Sequence, residues 1–238
     1  MTRAGGKPPQ GRRRGGKVHV RTARGRKPSS TRWLQRQLND PYVAEAKRRG
    51  FRSRAAFKLM EMDDRFGLLK DVHRVVDLGA APGGWLQVLT RRLGRDARIV
   101  GLDFLDVEPV PGAVCLKIDF LDPTAPERLK AELGGAADLV LSDMAAATTG
   151  HKQTDHLRTM ALCEAALDFA ADVLAPGGSF LAKVLQGGTD DVLLARMKGM
   201  FRQVRHLKPP ASRSDSVEWY VLATGFRGPD AQVETQGD

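Results

Sequence analysis

One carboxylate and three glycines lie close together in VVDLGAAPGGW, residues 75–85: Asp77, Gly79, Gly83 and Gly84. Glycines at such a turn let the backbone bend tightly and approach a ligand without Cβ obstruction. The Lys-Ser/Thr pair that grips phosphate in a P-loop is missing, and the order GxxxGG differs from the dinucleotide pattern GxGxxG. Both departures lower readings as a nucleoside triphosphate or NAD site. The next acid, Asp103, ends RIVGLD 19 residues past Gly84, where a carboxylate can accept the hydroxyls of a ribose. S-adenosylmethionine carries that ribose without a pyrophosphate, and so needs a glycine loop without a phosphate grip. Asp119, ending AVCLKID, can reach the adenine end of a ligand laid along the sheet edge. Lys183 stands in the apolar run SFLAKVL. Burying an ammonium costs several kcal/mol unless it is paired or neutral; the competing reading is a lysine snorkelling from an edge strand.

These groups need elements to hold them. Val75 and Val76 end a short buried strand, and Trp85, Val88, Leu89 and Leu93 recur at helical spacing, giving a strand, a glycine loop and a helix. Ligands of open α/β sheets bind outside the carboxyl ends of strands at such a turn. RIVGLD and AVCLKID read as the second and third strands. ADLVLSD is a fourth, apolar as a strand covered on both faces should be, and it ends in Asp143. DPTAPERLKAELGG is a capped helix closed by glycines. Residues 155–175 form the longest helix, with Leu162, Ala165, Ala166, Phe169 and Val173 on one face, stopped by APGG. SFLAKVL is the fifth strand. A helix with Leu193, Met197, Met200 and Phe201 on one face follows, then the strand RQVRHLK, the basic loop KPPASRSDS and the last strand VEWYVLATG, with Glu218 at its start. Upstream, Ser53 is placed to cap a helix in which Ala56, Leu59 and Met60 share a face. Lys58 lies on that helix, and periodicity alone makes it a solvated lysine.

At 238 residues, with 42% hydrophobic and 28% charged residues, the chain fits one globular core. No window approaches the roughly 18 uninterrupted apolar residues of a membrane span, so no membrane association is expected. Cys115 and Cys163 are 48 positions apart in apolar stretches and read as reduced core thiols of a cytoplasmic protein rather than metal ligands. The net charge of +10 is unevenly spread: residues 1–32 hold eleven cations and no acid, leaving 27 of the 38 cations against all 28 acids. Residues 1–30 are expected to be a disordered basic tail, 31–228 the folded domain and 229–238 a frayed C-terminal tail. A polycationic tail gains affinity for nucleic acid by counterion release, the reading favoured over a solubilising arm with no specific partner, and a transit peptide lacks its apolar helical face here.

In order and at plausible distances, RWLQRQLNDPYV, RSRAAFKL, VVDLGAAPGGW, SDMA, DVLAPGGSFLAKVLQG and EWYVLATG resemble the FtsJ/RlmE-like RNA ribose 2′-O-methyltransferases from about Ser30 to Gly225. The resemblance implies an α/β, Rossmann-like, S-adenosylmethionine-dependent methyltransferase fold: a seven-stranded, mostly parallel sheet, its last strand antiparallel, with helices on both faces. It also implies a Lys-Asp-Lys-Glu tetrad, falling here on Lys58, Asp143, Lys183 and Glu218, and cofactor contacts at Gly83, Gly84, Trp85, Asp103, Asp119 and Asp143. A ribose hydroxyl is a poor nucleophile and the sulfonium methyl is already activated, so the chemistry asks for in-line alignment and removal of one proton, with no metal. Proton removal is assigned to Lys183 and orientation to the other three. Lys58 would push the Lys183 pKa down and Asp143 would pull it up. The chain departs from the family pattern at Ala146 and Ala147, where Pro-Asn is common after SDMA, and at Trp219, read as a packing residue.

Amino-group methyltransferases use an Asn/Asp-Pro-Pro-aromatic turn where this chain has DMAA, and a base-carbon enzyme needs a cysteine nucleophile where none is placed. A non-catalytic ribosome-assembly factor is disfavoured by the intact tetrad. The resemblance is closest to members that methylate a uridine ribose in large-subunit ribosomal RNA, with transfer RNA as the alternative substrate. The implied partner is ribosomal RNA within the large subunit, and the enzyme is expected to be a monomer. Arg13, Arg14, Arg36, Arg48, Arg49, Arg52 and Arg54 are candidate phosphate contacts.

Overall fold

The computed structural model describes residues 28–146, 149–187 and 189–229, in two units divided between Glu45 and Ala46. The first unit holds α1 (Pro28–Leu38) and most of α2 (Pro41–Arg48). Pro28 opens α1, as suits a residue with preset φ and no N–H to satisfy, so helix begins within the last three residues expected to be tail. Between the helices, the Asp40 carboxylate accepts from the Tyr42 amide at 3.0 Å. The rest of the basic tail, Ala147 and residues 230–238 lie outside the described residues.

The second unit is organised by a seven-stranded sheet. Its strands are β1 (Arg74–Leu78), β2 (Arg98–Asp103), β3 (Val114–Lys117), β4 (Ala137–Ser142), β5 (Leu174–Leu185), β6 (Phe201–Leu207) and β7 (Glu218–Phe226), in the order β3-β2-β1-β4-β5-β7-β6. β1 to β5 run parallel, and β7 is antiparallel to both β5 and β6. The helices between them are α3 (Ala55–Phe66), α4 (Gly84–Leu93), α5 (Ala125–Leu133), α6 (Lys152–Val173) and α7 (Asp191–Met200). No described helix is long and apolar enough to cross a membrane.

Side-chain alternation divides the strands between two faces. Val76, Leu78, Val100, Val140, Phe180, Ala182, Val184, Val221 and Ala223 join one apolar core with α5, α6 and α7. The intervening residues, among them Asp77, Lys183 and Tyr220, therefore face the side covered by α3 and α4. Gly101 shows how tight that side is: a Cβ there would stand 2.9 Å from Leu86 of α4.

Several local expectations are revised. The N-cap of α3 is Arg54, in helical conformation and without a side-chain cap; the Ser53 hydroxyl is buried toward Gly84 instead, with no hydrogen-bond partner among the described residues. APGG does not separate α6 from its strand by a loop: β5 starts at Leu174, and the sheet register jumps from Ala137↔Leu174 to Leu139↔Ser179, so Ala175–Gly178 bulge out of the ladder. Phe201 opens β6 rather than ending α7. β3 stops at Lys117, leaving Asp119 on the turn beyond it. On α6 the buried line runs through Cys163, Ala166, Leu167, Phe169 and Ala170, while Leu162 turns toward a cavity.

Candidate active site

Four charged side chains far apart in sequence converge at the carboxyl ends of the parallel strands. α3 brings Lys58, the residue after β4 is Asp143, β5 brings Lys183 and β7 brings Glu218. The reason is register. Lys183 pairs across the sheet with Tyr220, and Glu218 is two residues from Tyr220, so all three side chains leave the same face. Asp143 is fixed by its amide, which donates to the Leu78 carbonyl of β1 at 3.0 Å.

The charges are paired. Lys58 Nζ lies 2.5 Å from Glu218 Oε1, and Lys183 Nζ lies 2.8 Å from Asp143 Oδ1 and 2.8 Å from the Asp143 carbonyl oxygen. The side chains are 11%, 19%, 10% and 16% exposed in the order Lys58, Glu218, Lys183, Asp143, which leaves a small window to solvent rather than a sealed core. Lys183 is on an interior strand, so it does not snorkel from an edge. Burial works to lower its pKa, but the Asp143 and Glu218 carboxylates outweigh that and hold it above the ordinary lysine value. Burial likewise works to raise Asp143, and Lys183 and Lys58 outweigh it, keeping the carboxyl below its usual range. The opposed influences on Lys183 thus resolve toward the ammonium.

Beside this cluster, a cavity of about 550 Å³ opens along the ends of β1, β2 and β3. Gly79 and Ala81 form its base, Met144 to Ala146 and α6 residues Arg158, Ala161 and Leu162 one wall, and Asp103, Phe104, Asp119 and Leu121 the other. Gly79 allows the glycine loop and the β4 loop to meet: its φ is +80°, and a Cβ would stand 2.8 Å from the Met144 amide nitrogen. The two rim carboxylates are held alike. Asp103 Oδ1 accepts from Leu105 N at 2.9 Å and Asp119 Oδ1 from Leu121 N at 3.0 Å, while Asp103 Oδ2 accepts from Ala81 N at 2.9 Å. Each oxygen keeps a second lone pair for a ligand hydroxyl.

Of the residues expected at the cofactor, Asp103, Asp119 and Asp143 line this cavity; Gly83, Gly84 and Trp85 stand at the head of α4 outside its wall. Gly83 has φ +99°, and a Cβ there would lie 2.6 Å from Arg52 Nη1. The Trp85 indole is committed elsewhere, donating to the Ala55 carbonyl at 2.8 Å and packing 6.0 Å from the Tyr220 ring. Trp219 is half-buried against the core. Arg52 and Arg54 are largely spent on the fold: Arg52 donates to the Glu108 and Pro109 carbonyls at 2.6 and 2.9 Å, and Arg54 to the Ala211 carbonyl. Arg49 lies exposed, 5.6 Å from the Phe51 and Phe57 ring centres. Arg36 and Arg48 are exposed on helices, whereas Arg13 and Arg14 lie outside the described residues. Cys163 is buried and its thiol is pushed up to about 12, as suits an inert core cysteine.

Sequence reasoning passed over Tyr220, the burial of Asp77 and the apolar rim of the cavity. Tyr220 was not singled out, although it lies inside the cluster and is fully buried. Asp77 is fully buried with neither carboxylate oxygen hydrogen-bonded among the described residues; burial, then Asp143 and Asp103, raises its pKa well above the usual carboxyl value. The apolar cavity rim had a visible signal: Asp-Phe-Leu-Asp occurs twice, at residues 103–106 and 119–122, at the ends of two adjacent strands.

This sheet order, with a glycine turn after β1 and a cavity at the strand ends, defines a Rossmann-like methyltransferase fold. The model of the FtsJ-like methyltransferases matches residues 51–226, a span holding all four clustered side chains. A Xanthobacter autotrophicus protein named ribosomal RNA large subunit methyltransferase E is 62% identical over 222 residues, 92% of this chain and 87% of that protein. A protein of the same name from Azorhizobium caulinodans is 60% identical over 225 residues, covering 93% and 94% of the two chains. Among solved structures, a ribosomal RNA methyltransferase from Plasmodium falciparum superposes with a TM-score of 0.66 at 29% identity, over 75% of this chain and all of that one. The chain belongs to the FtsJ-like methyltransferase family.

Proposed function

We propose that this enzyme transfers the methyl group of S-adenosylmethionine to the 2′-hydroxyl of a uridine ribose in large-subunit ribosomal RNA. The observation that carries this reading is the convergence of Lys58, Asp143, Lys183 and Glu218 beside a cavity with ribose-accepting carboxylates. The substrate class follows the relatives named ribosomal RNA large subunit methyltransferase E, which match nearly the whole chain at about 60% identity.

The cavity suits S-adenosylmethionine: its walls are largely apolar, as an adenine requires, and Asp103 offers lone pairs for ribose hydroxyls. Asp119 is assigned to the adenine side and Asp143 to the end nearest the reacting centre. Gly84 and Trp85 would contribute through the first-turn amides of α4, which lack intrahelical acceptors and favour a carboxylate, and Gly83 through its missing Cβ, its own amide donating to the Ala80 carbonyl at 2.6 Å. When bound, the cofactor supplies an activated methyl group and a positive sulfonium.

Lys183 takes the proton. Its ammonium must first become an amine, which burial favours and the Asp143 and Glu218 carboxylates oppose. Lys183 Nζ would accept the hydroxyl proton as the 2′-oxygen lone pair bonds the methyl carbon, the electron pair of the broken carbon–sulfur bond staying on the sulfur of the departing thioether. Lys58, fixed by Glu218, orients the hydroxyl, and Asp143 orients Lys183. A large-subunit substrate carries with it a cytoplasmic location, and the enzyme would act as a monomer with the basic residues ahead of α1 as an RNA-gripping arm.

Incubation with labelled cofactor and unmodified large ribosomal subunits, beside naked ribosomal RNA and transfer RNA, tests the proposal when followed by nuclease digestion and nucleoside mass analysis. The expected product is 2′-O-methyluridine from the large-subunit RNA. Label confined to transfer RNA would overturn the substrate, and a base-methylated product would overturn the chemistry.

A further inference from the structure

Among the described residues, Tyr220 is the one fully buried, uncharged polar side chain inside the charged cluster that the assignment of roles leaves unused. Its ring packs 6.0 Å from Trp85, and its hydroxyl lies 2.7 Å from Asp143 Oδ1, 3.3 Å from Glu218 Oε1 and 3.3 Å from Lys58 Nζ. A phenol has one hydrogen to give. The shorter contact directs it to Asp143, while Lys58 donates to the phenol oxygen and to Glu218. Asp143 Oδ1 therefore accepts from Tyr220 at 2.7 Å and from Lys183 at 2.8 Å. The result is a continuous chain of contacts from Glu218 through Lys58, Tyr220 and Asp143 to Lys183.

We propose that Tyr220 is a positioning residue that tunes proton uptake by Lys183, because its phenol shares the carboxylate oxygen on which Lys183 is held. The proposal rests on the reading of Lys183 as the proton acceptor. A carboxylate that already accepts one strong hydrogen bond attracts a second donor less, so Tyr220 loosens the hold of Asp143 on the ammonium. The groups facing Lys183 come from several elements: Asp143 after β4, Tyr220 and Glu218 on β7, Lys58 on α3 and, behind Asp143, Asp77 on β1. Of these, only Tyr220 donates to Asp143 without carrying charge. Burial, then Asp143 and Glu218, drives its own ionisation well above the usual tyrosine value, so it remains a donor wherever the enzyme works.

Tyr220→Phe keeps the ring and removes only the hydroxyl. The test is kcat against pH at saturating S-adenosylmethionine and unmodified large subunits. The wild-type rate is expected to rise with pH to a plateau. In Tyr220→Phe the midpoint of that rise is expected about one pH unit more alkaline, lowering kcat about tenfold at neutral pH, with the cofactor KM within about threefold. A second measurement moves the hydrogen bond the other way and needs no loss of packing. The chain has two tyrosines, so fluorotyrosine incorporation in a Tyr42→Phe background changes Tyr220 alone. The more acidic phenol is a stronger donor and is expected to shift the midpoint to lower pH than in unlabelled Tyr42→Phe. A sloped wild-type profile whose midpoint neither change moves would overturn the proposal alone. A flat wild-type profile would overturn the Lys183 reading, and this proposal with it.

Discussion

At the ends of β1, β2 and β3 the sheet opens into a largely apolar cavity with carboxylates on its rim; at the ends of β4, β5 and β7 it closes on two ion pairs and a buried phenol. The first region keeps room for a ligand because its carboxylates are steadied by their own turns: Asp103 and Asp119 each accept from the amide two residues on. The second leaves little room because its charges are steadied by one another. Under the proposed roles, binding would use groups held with spare lone pairs, and proton transfer groups whose charges depend on each other. Asp143 belongs to both regions, lining the cavity and pairing with Lys183.

That shared position makes Asp143→Ala the most damaging single change. It strands Lys183 without its nearest carboxylate, and single-turnover methyl transfer is expected to fall by about 10³-fold or more together with cofactor affinity. Loss of rate with unchanged cofactor affinity would place Asp143 in the charged region only. Asp103→Ala separates the regions in the opposite sense: equilibrium titration is expected to show cofactor binding weakened by about 10- to 100-fold, with the rate at saturation changed far less. The charged region is also expected to show itself in pH. Asp143 and Glu218 hold Lys183 above its ordinary value, so the ammonium dominates at neutral pH, and kcat is expected to climb about tenfold per pH unit until Lys183 titrates.

The smallest expected effect concerns Asp77, beneath the junction of the two regions. Its folded pKa is raised above the unfolded value of about 3.9, so the native state binds more protons than the unfolded one and stability falls as pH rises above about 4. Asp77→Asn removes that titration. Thermal unfolding across pH 4–7 is expected to give a Tm profile flatter by a few degrees in Asp77→Asn, and parallel profiles would show that Asp77 titrates normally.

The two regions were not equally legible in the sequence. The glycine turn, the strand before it and the spacing to Asp103 are local, and local pattern is enough to mark them. Lys58 looked solvated because periodicity cannot see Glu218, 160 positions away, arriving 2.5 Å from its ammonium. Lys183 stood out as a charge in an apolar run, but its partner depends on the β4–β5 and β5–β7 pairings. The four residues were grouped only through family resemblance. Tyr220 was missed because a tyrosine in an apolar strand looks like any core residue until its cross-strand partner is known. The bulge at Ala175–Gly178 was missed for a related reason: glycines that read as a loop can also be carried by a strand that slips its register.

The division between binding and chemistry is tested most directly by Lys183→Ala, which removes the proposed proton acceptor from the charged region and, of the cavity wall, takes away only a contact to Asp143. The decisive measurement is the single-turnover rate of methyl transfer to large ribosomal subunits at cofactor concentrations shown by titration to saturate the variant. The predicted result is a loss of about 10²- to 10⁴-fold in rate with cofactor affinity within about threefold of wild type. A variant that retained most of its rate at saturation would contradict the account, since proton removal would then lie with some other group.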